Sequence, residues 1–150
     1  MTKKPRTISE AALYFASPAM CRKLRWPGGK PVCPVCSSTR TGQIVTRHLR
    51  RCLDCRKQFS DKQGTLFESP LQLGQWFFAC WILYNYPKTT CQRLSDLVGV
   101  TVRTAWQMRR KWNAGLSLIV RPGTFEDTIK QLFFLSKNQI NEVLKPPKSR

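Results

Sequence analysis

Cys33-Pro-Val-Cys36 and Cys52-Leu-Asp-Cys55, with fifteen residues between them, decide how this chain is read. Two CxxC pairs at that spacing bring four thiolates to one tetrahedral zinc, each pair forming a short knuckle. With all four positions filled by protein sulfur, none is left for water, so the predicted Zn2+ is structural rather than catalytic. The segment between the pairs holds Arg40, Arg47, His48, Arg50 and Arg51 and no acidic residue. Residues 42–46 and 48–52 are expected to pair as antiparallel strands, with residues 57–60 as a third. Seven basic residues, among them Arg56, Lys57 and Lys62, stand against two acidic ones over residues 37–62. Arg40, Arg47, Arg50, Arg51 and Lys57 are therefore expected to meet phosphate, while His48, the single histidine, requires no role.

The wider composition points the same way. The chain has 150 residues, 26 Lys and Arg against 8 Asp and Glu, and a net charge of +18. Such a balance says nothing about fold, but it favours nucleic acid as the partner, with an anionic membrane second. A membrane span is excluded, because only residues 76–84 are truly apolar and that stretch is too short. Seven cysteines are an odd number, and four are committed to metal spacing. Cys21, Cys80 and Cys91 then read as buried free thiols in a reducing compartment. No signal peptide is expected at the N-terminus. The location implied is cytoplasmic and nucleoid-associated, or nuclear if the host is eukaryotic.

Punctuation divides the chain into four stretches. Residues 1–29 read as a basic arm and helices that pack on the ribbon, with Thr7 or Ser9 as a helix cap and a second short helix over residues 19–24. Residues 30–64 form the zinc ribbon, closed by a turn at Gly64. Residues 65–115 form a three-helix domain. Its first helix carries Leu73, Trp76, Phe77, Cys80, Trp81 and Tyr84 on one wide apolar face and stops at Pro87. A second starts at Thr89 or Thr90, and a third runs from about Thr101 to Asn113. Residues 116–150 supply a helical extension and a basic tail. In it, residues 124–135 and 136–144 are amphipathic, with Ser136 and Gln139 at capping-box spacing. These helices serve either to pack on the preceding ones or to bind a second copy or another protein through residues 124–144. The fold class is thus small α+β: a zinc ribbon of short antiparallel strands, a three-helix helix-turn-helix bundle and C-terminal helices.

Leu94-Ser-Asp-Leu-Val-Gly99-Val-Thr-Val-Arg103-Thr-Ala105-Trp106 has the grammar of a helix-turn-helix, a Gly turn between two helices with a small residue at their crossing. The start of the second helix enters the major groove in such motifs. Thr101, Arg103, Thr104 and Gln107 become candidate base or backbone readers, and Arg109, Arg110 and Lys111 phosphate contacts. The eight carboxylates are scattered, apart from Glu126 and Asp127, which suit the first turn of a helix. Neither a nucleophile–base set nor a Gly-rich phosphate loop is visible, so the chain is not read as an enzyme.

These residues resemble the N-terminal region of bacterial insertion-sequence transposases with a zinc ribbon, a group related to eukaryotic Merlin elements. The likeness runs through Cys21-Arg-Lys-Leu-Arg-Trp-Pro-Gly and Cys33-Pro-Val-Cys36. It continues in Arg51-Cys-Leu-Asp-Cys-Arg-Lys-Gln-Phe-Ser60, Gly64-Thr-Leu-Phe-Glu-Ser69, Leu73 to Trp76, and Arg103-Thr-Ala-Trp106, covering about residues 7–115. The resemblance implies that Cys33, Cys36, Cys52 and Cys55 hold zinc and that ribbon and helix-turn-helix bind element-end DNA. Those transposases continue into a ribonuclease-H-like domain with an Asp-Asp-Glu set, and nothing after Gly115 looks like its start. The expectation is a non-catalytic, zinc-dependent protein that binds double-stranded DNA as a regulator, targeting subunit or accessory factor. The alternatives are a structural component of a ribonucleoprotein or polymerase complex, bound to RNA, and a transposase fragment that needs a separate catalytic chain.

Overall fold

The computed structural model describes residues 4–26, 30–44, 49–63, 65–69, 71–119, 123–135 and 137–144. The start of the basic arm, Arg47, His48, the turn at Gly64, the Ser136 cap and the basic tail lie outside the described residues.

Three short strands form the ribbon: β1 (Thr41–Ile44), β2 (Leu49–Cys52) and β3 (Gln58–Phe59), antiparallel in the order β1-β2-β3. Thr41 faces Cys52 and Ile44 faces Leu49, while Arg50 and Arg51 face Phe59 and Gln58. Because side chains alternate along a strand, Arg51 and Gln58 turn outward while Cys52 and Phe59 turn in. The inner cluster is small, with Cys33, Cys52 and Phe59 buried and Cys55 against them. So little apolar surface cannot hold a module together without another source of stability.

Seven helices follow or precede it among the described residues: α1 (Ile8–Ala16), α2 (Pro18–Arg25), α3 (Leu73–Asn85), α4 (Cys91–Val98), α5 (Val102–Leu118), α6 (Phe125–Phe134) and α7 (Lys137–Leu144). Thr7 caps α1, its hydroxyl accepting from the Glu10 amide at 3.2 Å, and Pro18 opens α2, where its missing N–H costs nothing. The helices of residues 1–29 were expected on the ribbon. They pack instead on the helical bundle, α1 against α3 and α2 against α3 and α6, because Ala11, Phe15 and Cys21 bury into its core. Arg25 and Trp26, at the end of α2, are what reach the ribbon.

α3 departs from the expected single apolar face: residues 76–83 are all buried. It is covered on several sides by α1, α2, α4 and α5, as an all-round apolar helix must be. Among the described residues no helix is long and apolar enough to cross a membrane. α4 starts under a Thr90 cap and ends at Gly99, whose φ of 81° is the left-handed conformation that glycine adopts without a Cβ penalty. Thr101 then caps α5, its hydroxyl accepting from the Thr104 amide at 3.1 Å.

α5 runs past the predicted end near Asn113. Gly115 does not punctuate it but lies inside it, where a Cβ would stand 2.5 Å from Leu132 Cδ2. Glycine there leaves room for the Leu132 side chain of α6. Phe125, Ile129, Leu132 and Ile140 join the core that holds Trp76, Phe77 and Trp112. The division drawn at residue 115 therefore does not coincide with a break in the core. The apolar faces of α6 and α7 are largely used within the chain, leaving Phe134 exposed at 87%.

Candidate metal centre and basic surface

The knuckles bring the four sulfurs of Cys33, Cys36, Cys52 and Cys55 within 4.8 Å of one another. Cys33 and Cys55 Sγ lie 3.6 Å apart, and Cys36 and Cys52 Sγ 3.4 Å. Zinc–sulfur bonds of about 2.3 Å in a tetrahedron put sulfurs about 3.8 Å apart, so the donor set fits one Zn2+. The two knuckles are built alike. Val35 N donates to Cys33 Sγ and Cys55 N to Cys52 Sγ, each at 3.4 Å. Ser37 and Arg56, each following the second cysteine of its pair, share a left-handed φ of 64° and 62°. The Cys55 amide, opposed by burial, draws the Cys52 thiol down to about 6. The four sulfurs also crowd one another, so side-chain contacts push Cys36 and Cys55 up while aimed N–H groups help to draw Cys33 and Cys52 down.

The knuckles are also tied to each other. Arg40 Nη1 reaches Asp54 Oδ1 at 2.7 Å, the Ser38 hydroxyl donates to the other Asp54 oxygen, and Leu53 N donates to the Arg40 carbonyl at 2.8 Å. Arg40 is thus a clasp within the ribbon, although its side chain remains 70% exposed.

Arg50 does not form part of the exposed basic face. Its Nε pairs with Asp61 Oδ1 at 2.8 Å, and its side chain is only 13% exposed. The same Asp61 oxygen accepts from Trp26 Nε1 at 3.0 Å, and the Asp61 carbonyl from Arg25 Nε at 2.6 Å. Arg25 in turn stacks on Trp26 and Phe133, at 3.7 and 4.4 Å from the ring centres. Asp61 therefore joins the ribbon to α2, and Arg25 carries the joint on to α6. Lys62 is also occupied, donating to the carbonyls of Ser69 and Leu71 at 2.7 and 2.5 Å. Arg50, Asp61 and Lys62 help line a cleft of about 750 Å³ between ribbon and helices.

The basic end of α5 is likewise redirected. Arg109 donates to the carbonyls of Thr89 and Pro87, pinning the loop before α4. Arg110 donates to the Leu144 carbonyl at the end of α7, and Lys111 Nζ sits 5.5 Å above the Trp76 ring. A carbonyl acceptor leaves no mark in the sequence, so these roles were not legible there. Thr101 and Thr104 are bound to each other at the start of α5. The charged candidates that stay exposed without a described charge partner are Arg51 and Lys57 on the ribbon and Arg103 and Arg110 on α5, Arg110 being held by a carbonyl; Gln107 is exposed beside Arg103. Arg56, at the second knuckle, is exposed too. Arg47 lies outside the described residues.

Three residues were missed as contributors. Asp61 carried no motif, and Arg25 stood in the 21–28 stretch of the likeness with no role assigned to it. Trp106 had a signal: it falls outside the helical spacing of Ala105, Met108 and Trp112, which are buried while Trp106 is 49% exposed.

Comparison with known proteins fits this geometry. Residues 15–58 match the family model of the transposase zinc-ribbon domain, from the end of α1 into β3. Over 93 residues the chain is 33% identical to the "Uncharacterized protein in transposable element ISH50" of Halobacterium salinarum. That alignment covers 57% of this chain and 30% of the relative, so the chain spans less than a third of that protein. No solved structure matches the chain. The matched stretch includes α2, Trp26 and Arg50 but stops short of Asp61. Residues 15–58 are thus similar to a transposase zinc-ribbon domain, and Cys33, Cys36, Cys52 and Cys55 fit the one structural zinc of such a ribbon.

Proposed function

We propose that the chain binds double-stranded DNA through two basic surfaces, the zinc ribbon and the α4–turn–α5 unit read as a helix-turn-helix, and acts as a transposase-related targeting, regulatory or accessory factor. The observation that carries this reading is the sorting of the cations. After internal bonds have drawn Arg50, Lys62, Arg109 and Lys111 inward, the cations left to solvent include Arg51, Arg56 and Lys57 on the ribbon and Arg103 and Arg110 on α5. α5 carries no carboxylate. A cationic helix start capped by Thr101 suits a major groove, with Arg103 placed to meet backbone phosphate at the groove edge and Gln107 able to pair with an adenine edge.

No catalytic step is assigned to these residues, and zinc serves only to hold the ribbon's shape. A second copy or protein partner at residues 124–144 would have to use Phe134 and Val143, because the other large apolar side chains of α6 and α7 are taken up in the core.

Competition separates the partners. Zinc-loaded protein on a labelled duplex is challenged with unlabelled duplex DNA or with structured RNA at matched salt. Duplex DNA is expected to compete about tenfold better, since A-form RNA hides its major groove from a helix. Equal or stronger competition by RNA would overturn this assignment in favour of a ribonucleoprotein component.

A further inference from the structure

We infer that Val102 and Trp106 form an apolar reader on the outer face of α5 that packs on the 5-methyl groups of thymine. This inference rests on the duplex-DNA reading above. The two residues stand one turn apart and so share a face of the helix. They are 43% and 49% exposed, whereas the other four tryptophans are buried. Tryptophan is rarely left in water without a partner, because its large ring contributes more than almost any other side chain to burial.

The indole is also held in place. The Arg110 guanidinium lies 4.7 Å from its ring centre, and that guanidinium is fixed by its bond to the Leu144 carbonyl at 3.2 Å. A ring immobilised beforehand loses less entropy on binding than a free one. Arg110, expected from the sequence to touch phosphate, is thereby a positioning residue for Trp106.

The occupant follows from charge and groove chemistry. The apolar pair is flanked by exposed Arg103 and Gln107, on a helix without an acidic residue. A second copy would bring Arg103 and Arg110 against their own likenesses, whereas a polyanion is attracted. Within the major groove the one apolar group on a base edge is the thymine methyl.

The test uses zinc-loaded full chain and duplexes it selects from a random library, with each thymine in the selected site then replaced by uracil, which lacks only the methyl. Wild type is expected to lose about fourfold in affinity per contacted methyl, from roughly 0.8 kcal/mol for each buried methyl-sized group. Trp106→Ala is expected to keep its helical circular dichroism, bind the thymine duplex more weakly and no longer distinguish thymine from uracil. Equal binding of both duplexes by wild type, discrimination that survives Trp106→Ala, or a selected site without thymine overturns the inference while leaving DNA binding intact. A wild-type dimer that Trp106→Ala dissociates overturns it as well, by showing the patch to be a self-interface. If no duplex is selected at all, the DNA reading falls and this inference with it.

Discussion

Cys52→Ser protein is expected to bind no zinc stably and to lose the ribbon as a folded unit while keeping its helical bundle. Structural zinc typically contributes roughly 10–16 kcal/mol of apparent folding free energy. Nothing else in the ribbon approaches that. Its own apolar cluster is Cys33, Cys52 and Phe59, and burying one phenylalanine is worth about 3 kcal/mol at most. The bundle has a separate core that runs from Ala11 through Trp76, Phe77 and Leu94 to Ile140 and borrows no zinc ligand. In an amide correlation spectrum, residues 30–44 and 49–63 should therefore collapse to unfolded positions, while those of α3, α5 and α6 stay dispersed. Chelation of wild type should reproduce the same pattern. Retention of strand resonances in metal-free protein would show that the ribbon has a source of stability other than its metal.

The second large effect is expected at the joint. Asp61→Ala removes the carboxylate oxygen shared by Arg50 and Trp26, leaving a guanidinium only 13% exposed without its partner. Removing one side of a buried pair costs more than the pair is worth, because the remaining charge stays desolvated. A loss of about 3 kcal/mol in urea-induced unfolding follows from an uncompensated charge and an orphaned indole N–H. The Arg25 bond to the Asp61 carbonyl does not need the side chain and should persist. Arg50→Met added to Asp61→Ala should restore much of the loss, giving a coupling well above about 0.5 kcal/mol in a double-mutant cycle. Additive single substitutions would mean that Asp61 and Arg50 do not act as a unit.

The parts legible in the sequence were those whose physics is local. Four thiolates at fixed spacing predict a zinc site whatever surrounds them, and hydroxyls near Thr7 and Thr90 announce helix starts because the capping bond is made within three residues. The parts that were not legible depend on contacts across the fold. Arg50 and Arg51 are neighbours with identical chemistry, yet strand alternation sends one to Asp61 and the other to solvent. Arg109, Arg110 and Lys62 end on backbone carbonyls, which every residue possesses and no composition reveals. Gly115 looked like a helix end because glycine often is one; only the approach of Leu132 shows it to be a packing position.

The central claim is that two separate surfaces hold one duplex. Each phosphate neutralised contributes about 0.9 to the slope of log K against log salt, so removal of one contacting cation lowers that slope by about one. Titrations of a DNA duplex across a salt series, for zinc-loaded wild type, Arg51→Ala, Arg103→Ala and the double variant, measure this directly. The two-surface grip predicts a slope reduced by about 0.9 in each single variant and by about twice that in the double. Unchanged slopes in both single variants, or binding that ignores salt altogether, would contradict it.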